Sequence, residues 1–126
     1  MPAKLEHLNI CVHAPDEVAE ALCALFGWRI RWRGSVMDGG LSVHVGGEDD
    51  YIALYAPTHD MDQRPESYRH WGMLNHVGVT VDDLDAVEAR VREAGFTPRE
   101  HADYEPGRRF YFMGPGGIDY EVVSYA

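Results

Sequence analysis

Two stretches of the chain alternate apolar and polar residues in the same order, LEHLNICV at 5–12 and LNHVGVTV at 74–81. In the first, Leu8, Ile10 and Val12 share one face of a predicted strand, and His7 and Asn9 share the other. At an offset of 69, Val77, Val79 and Val81 repeat the apolar face, and His76, Gly78 and Thr80 repeat the other. A helical pattern follows each strand. Val18, Leu22 and Leu25 form an apolar stripe that Pro15 opens and Gly27 closes. Leu84, Val87, Val91 and Ala94 form another, with Asp82 or Asp83 to cap it and Gly95 to end it. Beyond each helix come three strand-like pieces, WRIRWRG, GLSVHVGG and YIALYA, then FTPREHADY, RRFYFMG and DYEVVSY, rich in Trp, Tyr, Val and Ile between glycine breaks.

The pattern is βαβββ written twice. It predicts an α+β fold in a single domain of residues 1–126, with a first module at 3–56, a polar linker at 57–73 and a second module at 74–126. A lone module leaves its sheet short of partners. The two are therefore expected to join into one curved mixed sheet around an open cleft, with the helices on the far side.

Composition narrows the function. With 21 acidic and 11 basic residues the net charge is −10, which argues against a nucleic-acid backbone as partner. No apolar run approaches the roughly 20 residues of a membrane span, and MPAKLEHLN has no apolar signal region. Cys11 and Cys23 have no metal-type spacing and are too few for a disulfide framework, so a reducing cytoplasmic setting is expected.

The polar residues of the cleft face carry the candidate chemistry. His7 and His76 stand at equivalent positions, and alternation in the last strand sends Glu121 to their side. Two histidines and one carboxylate on an open face are the ligand set of a facial-triad metal site. A single histidine on a strand is more often structural, but two at repeat-equivalent positions beside a carboxylate favour ligands. Phe110 and Phe112 alternate toward the core, leaving Arg109, Tyr111 and Met113 toward the cleft. Tyr111 is read as a cleft hydrogen-bond donor or a packing aromatic, and Arg109 as a holder of an anionic substrate or a surface charge. Asn9 and His44 are candidate substrate contacts, and His101 a candidate acid–base group. His13, His59 and His70 fall in turns or linker and read as surface residues. The GPGG at 114–117 reads as a turn, since no Lys-Ser/Thr follows it.

The duplicated pattern, with LEHLNI, LNHVGV and GPGGIDYEVV in place, resembles the vicinal oxygen chelate superfamily over nearly the whole chain. That superfamily includes lactoylglutathione lyase, methylmalonyl-CoA epimerase, extradiol dioxygenases and bleomycin-resistance proteins. The resemblance implies metal ligands at the positions of His7, Ala53, His76 and Glu121, and Ala53 has no donor atom. The remaining set, His7, His76 and Glu121, is similar to that of the extradiol ring-cleaving enzymes. The spacing from Phe110-Tyr111 through Pro115 and Gly117 to Glu121 is close to their signature, though Gly114 and His101 depart from it. The resemblance implies one divalent ion, Fe2+ or Mn2+ for ring cleavage, with Ni2+, Co2+ or Zn2+ for lyase or isomerase work. It also implies a small-molecule substrate bound through two adjacent oxygens, and a homodimer; Trp28, Trp32 and Trp71 are candidates for its interface, for the core or for the cleft lining. A bleomycin-resistance-like protein binding its ligand without metal is the alternative.

Overall fold

The computed structural model describes residues 1–104 and 107–126. It contains two compact units, Met1–Asp60 and Met61–Ala126. The first holds β1 (His7–Cys11), α1 (Pro15–Phe26), β2 (Arg29–Val36), β3 (Gly40–Gly46) and β4 (Tyr51–Ala56). The second holds β5 (Val77–Thr80), α2 (Leu84–Glu93), β6 (Arg99–Tyr104), β7 (Gly107–Met113) and β8 (Asp119–Ser124). The second part of the linker is not bare. A short 3-10 turn at Ser67–Arg69 is capped by Glu66, whose carboxylate accepts from Tyr68 N–H, and Arg64 donates to the Leu74 carbonyl at 2.9 Å.

The helices form where the apolar spacing requires. In α1, Val18, Ala19, Leu22 and Leu25 are buried, and the helix stops at Gly27, whose φ of +71° costs a glycine little. In α2 the Asp83 carboxylate accepts from Ala86 N–H at 3.0 Å, and Leu84, Val87 and Val91 are buried. Each such buried side chain contributes about 1.5–3 kcal/mol, enough to fix which face of each helix meets the sheet.

Hydrogen bonding groups the eight strands as two four-stranded sheets, one per module, ordered β1-β4-β3-β2 and β5-β8-β7-β6. In each, the first and last strands of the module run parallel at one side and the others are antiparallel. Register confirms the duplication at residue level. Ala53 lies opposite Asn9 and His44, and Glu121 opposite Gly78 and Tyr111. Ala53 and Glu121 are thus counterparts, as are His44 and Tyr111. Val43, Val45, Ile52 and Leu54 fill the first core, and Phe110, Phe112, Tyr120 and Val122 the second.

One edge strand of each sheet, β2 and β6, carries a bulge. In β2 the ladder runs from Ile30–Val45 directly to Trp32–His44, leaving Arg31 as the extra residue. In β6 it runs from Arg99–Tyr111 to Ala102–Arg109, so Glu100 and His101 together oppose Phe110. Glu100 takes φ +54°, a left-handed conformation that strains a residue with a Cβ.

Candidate functional site

In the second module the candidate side chains come from β7, β8 and the segment ahead of β5. Tyr120 and Val122 point into the core, so alternation along β8 sends Glu121 to the open face. His76 enters β5 just before Val77, and its Nε2 lies 3.1 Å from Glu121 Oε2. The other carboxylate oxygen, Oε1, accepts from Arg109 Nη1 at 2.9 Å. Arg109 and Glu121 side chains are only 13% and 14% exposed, so this is a largely desolvated ion pair. The guanidinium also lies 4.9 Å from the centre of the Tyr104 ring, and its Nε is buried without a partner.

Tyr111 sets its ring edge-on to His76, with centroids 5.4 Å apart. Burial, then a hydrogen bond to Glu121 and the charge of that carboxylate, push its hydroxyl up to about 12, so it stays a donor at neutral pH. Behind His76, the Tyr68 hydroxyl shares a hydrogen bond with Nδ1 at 3.4 Å. The His76 ring therefore has the Tyr68 hydroxyl at Nδ1 and the Glu121 carboxylate at Nε2.

The first module answers with aromatics. His7 stacks on Tyr51 at 4.8 Å, Tyr51 on His44 at 4.5 Å, and His44 meets Trp32 at 5.0 Å, one ring from each strand of the sheet. Arg31, the bulged residue, holds its guanidinium 4.7 Å from the Tyr51 ring centre. Glu6 contacts His7 Nδ1 at 2.8 Å. Burial, then the charges of His7 and Arg31, lower the His44 pKa below its ordinary value, which favours the neutral imidazole. Ala53, 2% exposed, lies where the second module has Glu121. Asn9, its neighbour on β1, is exposed.

The structure therefore brings together His76, Glu121, Tyr111 and Arg109 in one module, and His7 and His44 in the other. It does not bring His101 to the site. Without the bulge, His101 would oppose Arg109 on the open face, but the extra residue gives that place to Ala102. His101 stacks instead on Phe110 at 5.9 Å and pairs with Glu88 of α2 at 3.0 Å. Within either module, among the described residues, no group of three or more His, Cys, Asp or Glu side chains is placed to share one ion.

Sequence reading missed Tyr68, Tyr51 and Glu6. Tyr51 was within reach, since Tyr51, Ala53 and Tyr55 alternate to one side of YIALYA. Tyr68 had no such signal, because no periodicity runs through the segment that carries it.

A family model described as the Glyoxalase/Bleomycin resistance protein/Dioxygenase superfamily matches residues 6–112. The chain belongs to this superfamily. The matched segment takes in His7 and His76 and ends ahead of Glu121. Solved members share the fold at low identity. A glyoxylase/bleomycin resistance protein/dioxygenase domain from Frankia sp. EAN1pec is 19% identical with a TM-score of 0.81, covering 98% of this chain and 93% of its own. A glyoxalase family protein from Bacillus cereus is 20% identical with a TM-score of 0.80, covering 98% and 95%. The fosfomycin resistance protein FosX from Listeria monocytogenes, complexed with Mn(II) and sulfate ion, is 14% identical with a TM-score of 0.72, covering 98% and 93%. No curated protein sequence matches. No helix among the described residues is long and apolar enough to cross a membrane.

Proposed function

We propose that this superfamily member is a metal-dependent enzyme of the ring-cleaving dioxygenase kind, acting on a small substrate with two adjacent oxygens. His76 and Glu121 hold the ion, and His7 is the third ligand. One observation carries the reading: His76 Nε2 and Glu121 Oε2 are 3.1 Å apart. Two neighbouring ligands about 2.1 Å from one ion, at a right angle, are about 3.0 Å apart, so the donor pair fits. Tyr68 at Nδ1 supplies the partner that orients a ligating imidazole, and Arg109 does the same for the ligating carboxylate. Alanine at 53 favours three protein ligands over four, which leaves positions for the substrate and for oxygen. Fe2+ or Mn2+ suits that chemistry, and a structural relative was solved with Mn(II).

When bound, the ion would stabilise negative charge on the substrate oxygens as a Lewis acid. Tyr111, kept protonated, turns its hydrogen bond from Glu121 to one of those oxygens when the substrate binds. Arg109 offsets the charge of an anionic substrate, and Asn9 and His44 contact its remainder. The active unit is a homodimer in the cytoplasm.

The test is metal content of untagged protein purified anaerobically, beside His76→Ala and Glu121→Gln. About one iron or manganese per chain, lost in both variants, supports the reading. Nickel, cobalt or zinc in its place redirects it to lyase or isomerase chemistry. A second reading, a metal-free binding protein of the bleomycin-resistance kind, draws on the Arg109–Glu121 pair, which already neutralises the carboxylate. No metal in wild type, and none taken up from added Mn2+ or Fe2+, would establish it over the first.

A further inference from the structure

Glu6 stands immediately ahead of β1, and two donors meet on one of its carboxylate oxygens. His7 Nδ1 lies 2.8 Å from Oε1, and the Tyr51 hydroxyl donates to the same atom at 3.4 Å. The main chain ties the same two strands at this point, since Tyr51 N–H donates to the Glu6 carbonyl at 3.1 Å. The His7 ring lies nearly flat on the Tyr51 ring, 8° from parallel with centroids 4.8 Å apart. Tyr51 is itself held, by the His44 ring at 4.5 Å and the Arg31 guanidinium at 4.7 Å.

An ionised carboxylate only accepts, so the proton of the Glu6–His7 hydrogen bond belongs to Nδ1. In a neutral imidazole Nε2 is then the atom with the lone pair. At His76 the partner of Nδ1 is the Tyr68 hydroxyl at 3.4 Å, which can donate or accept and so leaves the tautomer open. The two repeat-equivalent histidines are thus held by different chemistry. Glu6 and His7 side chains are 65% and 42% exposed, and an isolated pair in that setting holds its geometry loosely. This pair is not isolated. The Tyr51 ring fixes the plane of the imidazole, and the Tyr51 hydroxyl and N–H fix Glu6.

We propose that Glu6 is a positioning residue for His7: its carboxylate keeps the proton on Nδ1 and leaves Nε2 as the ring's acceptor, while Tyr51 sets the ring plane. That Nε2 is the atom offered to an ion rests on the proposed function; the choice of tautomer does not. A carboxylate on the far nitrogen also raises the basicity of a ligating imidazole, and losing such a partner lowers metal affinity about 10–100-fold.

The test uses metal-free full-length protein with 15N-labelled histidine at about pH 8.5, where imidazoles are neutral. Long-range 1H–15N NMR spectra show which ring nitrogen carries the proton, a readout that a merely structural role for Glu6 would not move. His7→Gln assigns the signals. Wild-type His7 is expected with its proton on Nδ1. Glu6→Ala releases it to a mixture of both tautomers, and Glu6→Gln, whose amide oxygen still accepts, restores Nδ1–H. A dispersed spectrum of each variant shows that it is folded. Mn2+ affinity, followed by water-proton relaxation, falls about tenfold in Glu6→Ala and by less in Glu6→Gln. A wild-type His7 protonated at Nε2, a tautomer unchanged in Glu6→Ala, or Mn2+ bound equally by wild type and Glu6→Ala would each overturn the proposal. Nδ1–H in wild type and its loss in Glu6→Ala, with no Mn2+ bound by either, supports the tautomer assignment and overturns the metal reading alone.

Discussion

Removing Arg109 tests the electrostatic centre of the second module. Its ion pair with Glu121 is 2.9 Å long, with both side chains about one-seventh exposed. Truncating one partner of a fully buried pair costs about 3–5 kcal/mol, whereas an exposed pair is worth under about 1 kcal/mol. Glu121 would keep His76 Nε2 at 3.1 Å, which lowers the cost further. Arg109→Met is therefore expected to lose about 2–3 kcal/mol. Glu121→Gln keeps a neutral acceptor against the guanidinium and is expected to lose about 1–2 kcal/mol. In the double variant neither charge is stranded, so the loss stays at about 2 kcal/mol and the coupling is about 2 kcal/mol. Urea unfolding of the four proteins in EDTA, followed by far-ultraviolet circular dichroism, gives these values. Losses that add to within about 0.5 kcal/mol would refute the reasoning, since they would mean the pair is solvated and contributes no mutual stabilisation.

Two further outcomes follow from the same geometry. Tyr111 ionises near 10.0 when unfolded and at about 12 when folded, so the folded state holds the proton more tightly in that interval. Stability attributable to it is intact below pH 10 and falls as pH rises toward 12; Tyr111→Phe should flatten that decline in part, with Tyr120, also pushed up by burial, supplying the rest. Glu100→Gly relieves the +54° backbone and should raise the unfolding free energy by about 0.5–1 kcal/mol, read as a higher urea midpoint, with His101 remaining against Phe110; a loss of stability would show that the Glu100 side chain supports the bulge.

Much of the fold was legible because the two halves obey one period. Leu8, Ile10 and Val12 alternate as their copies do, the helix stripes end in glycine, and the offset of 68 that pairs Ala53 with Glu121 survives in the strand register. The grouping of His76, Glu121, Tyr111 and Arg109 was legible for the same reason, since alternation decides which side chains share a face. What alternation cannot foresee is its own interruption. One extra residue in β6 turned His101 from the open face to the helix face, and nothing in REHADY signals where that residue falls. Tyr68 was hidden differently, reaching His76 from a segment whose shape is set by a cap and by Arg64 rather than by any repeat. The polar chemistry of Arg109 was half visible: its face was evident, its partner was not, because opposite charges twelve residues apart meet only once β7 and β8 are in register.

The two bulges have a consequence for how copies of the chain meet. A strand at the rim of a sheet offers unpaired N–H and C=O groups to any passing strand, and a flat rim invites endless addition. Here β2 is kinked at Arg31 and studded with Arg29 and Arg33, and β6 is kinked at Glu100 and flanked by Arg99 and Asp103. An incoming strand would lose register at the kink and bring its own backbone against fixed charge. These rims act as stops to strand addition at β2 and β6.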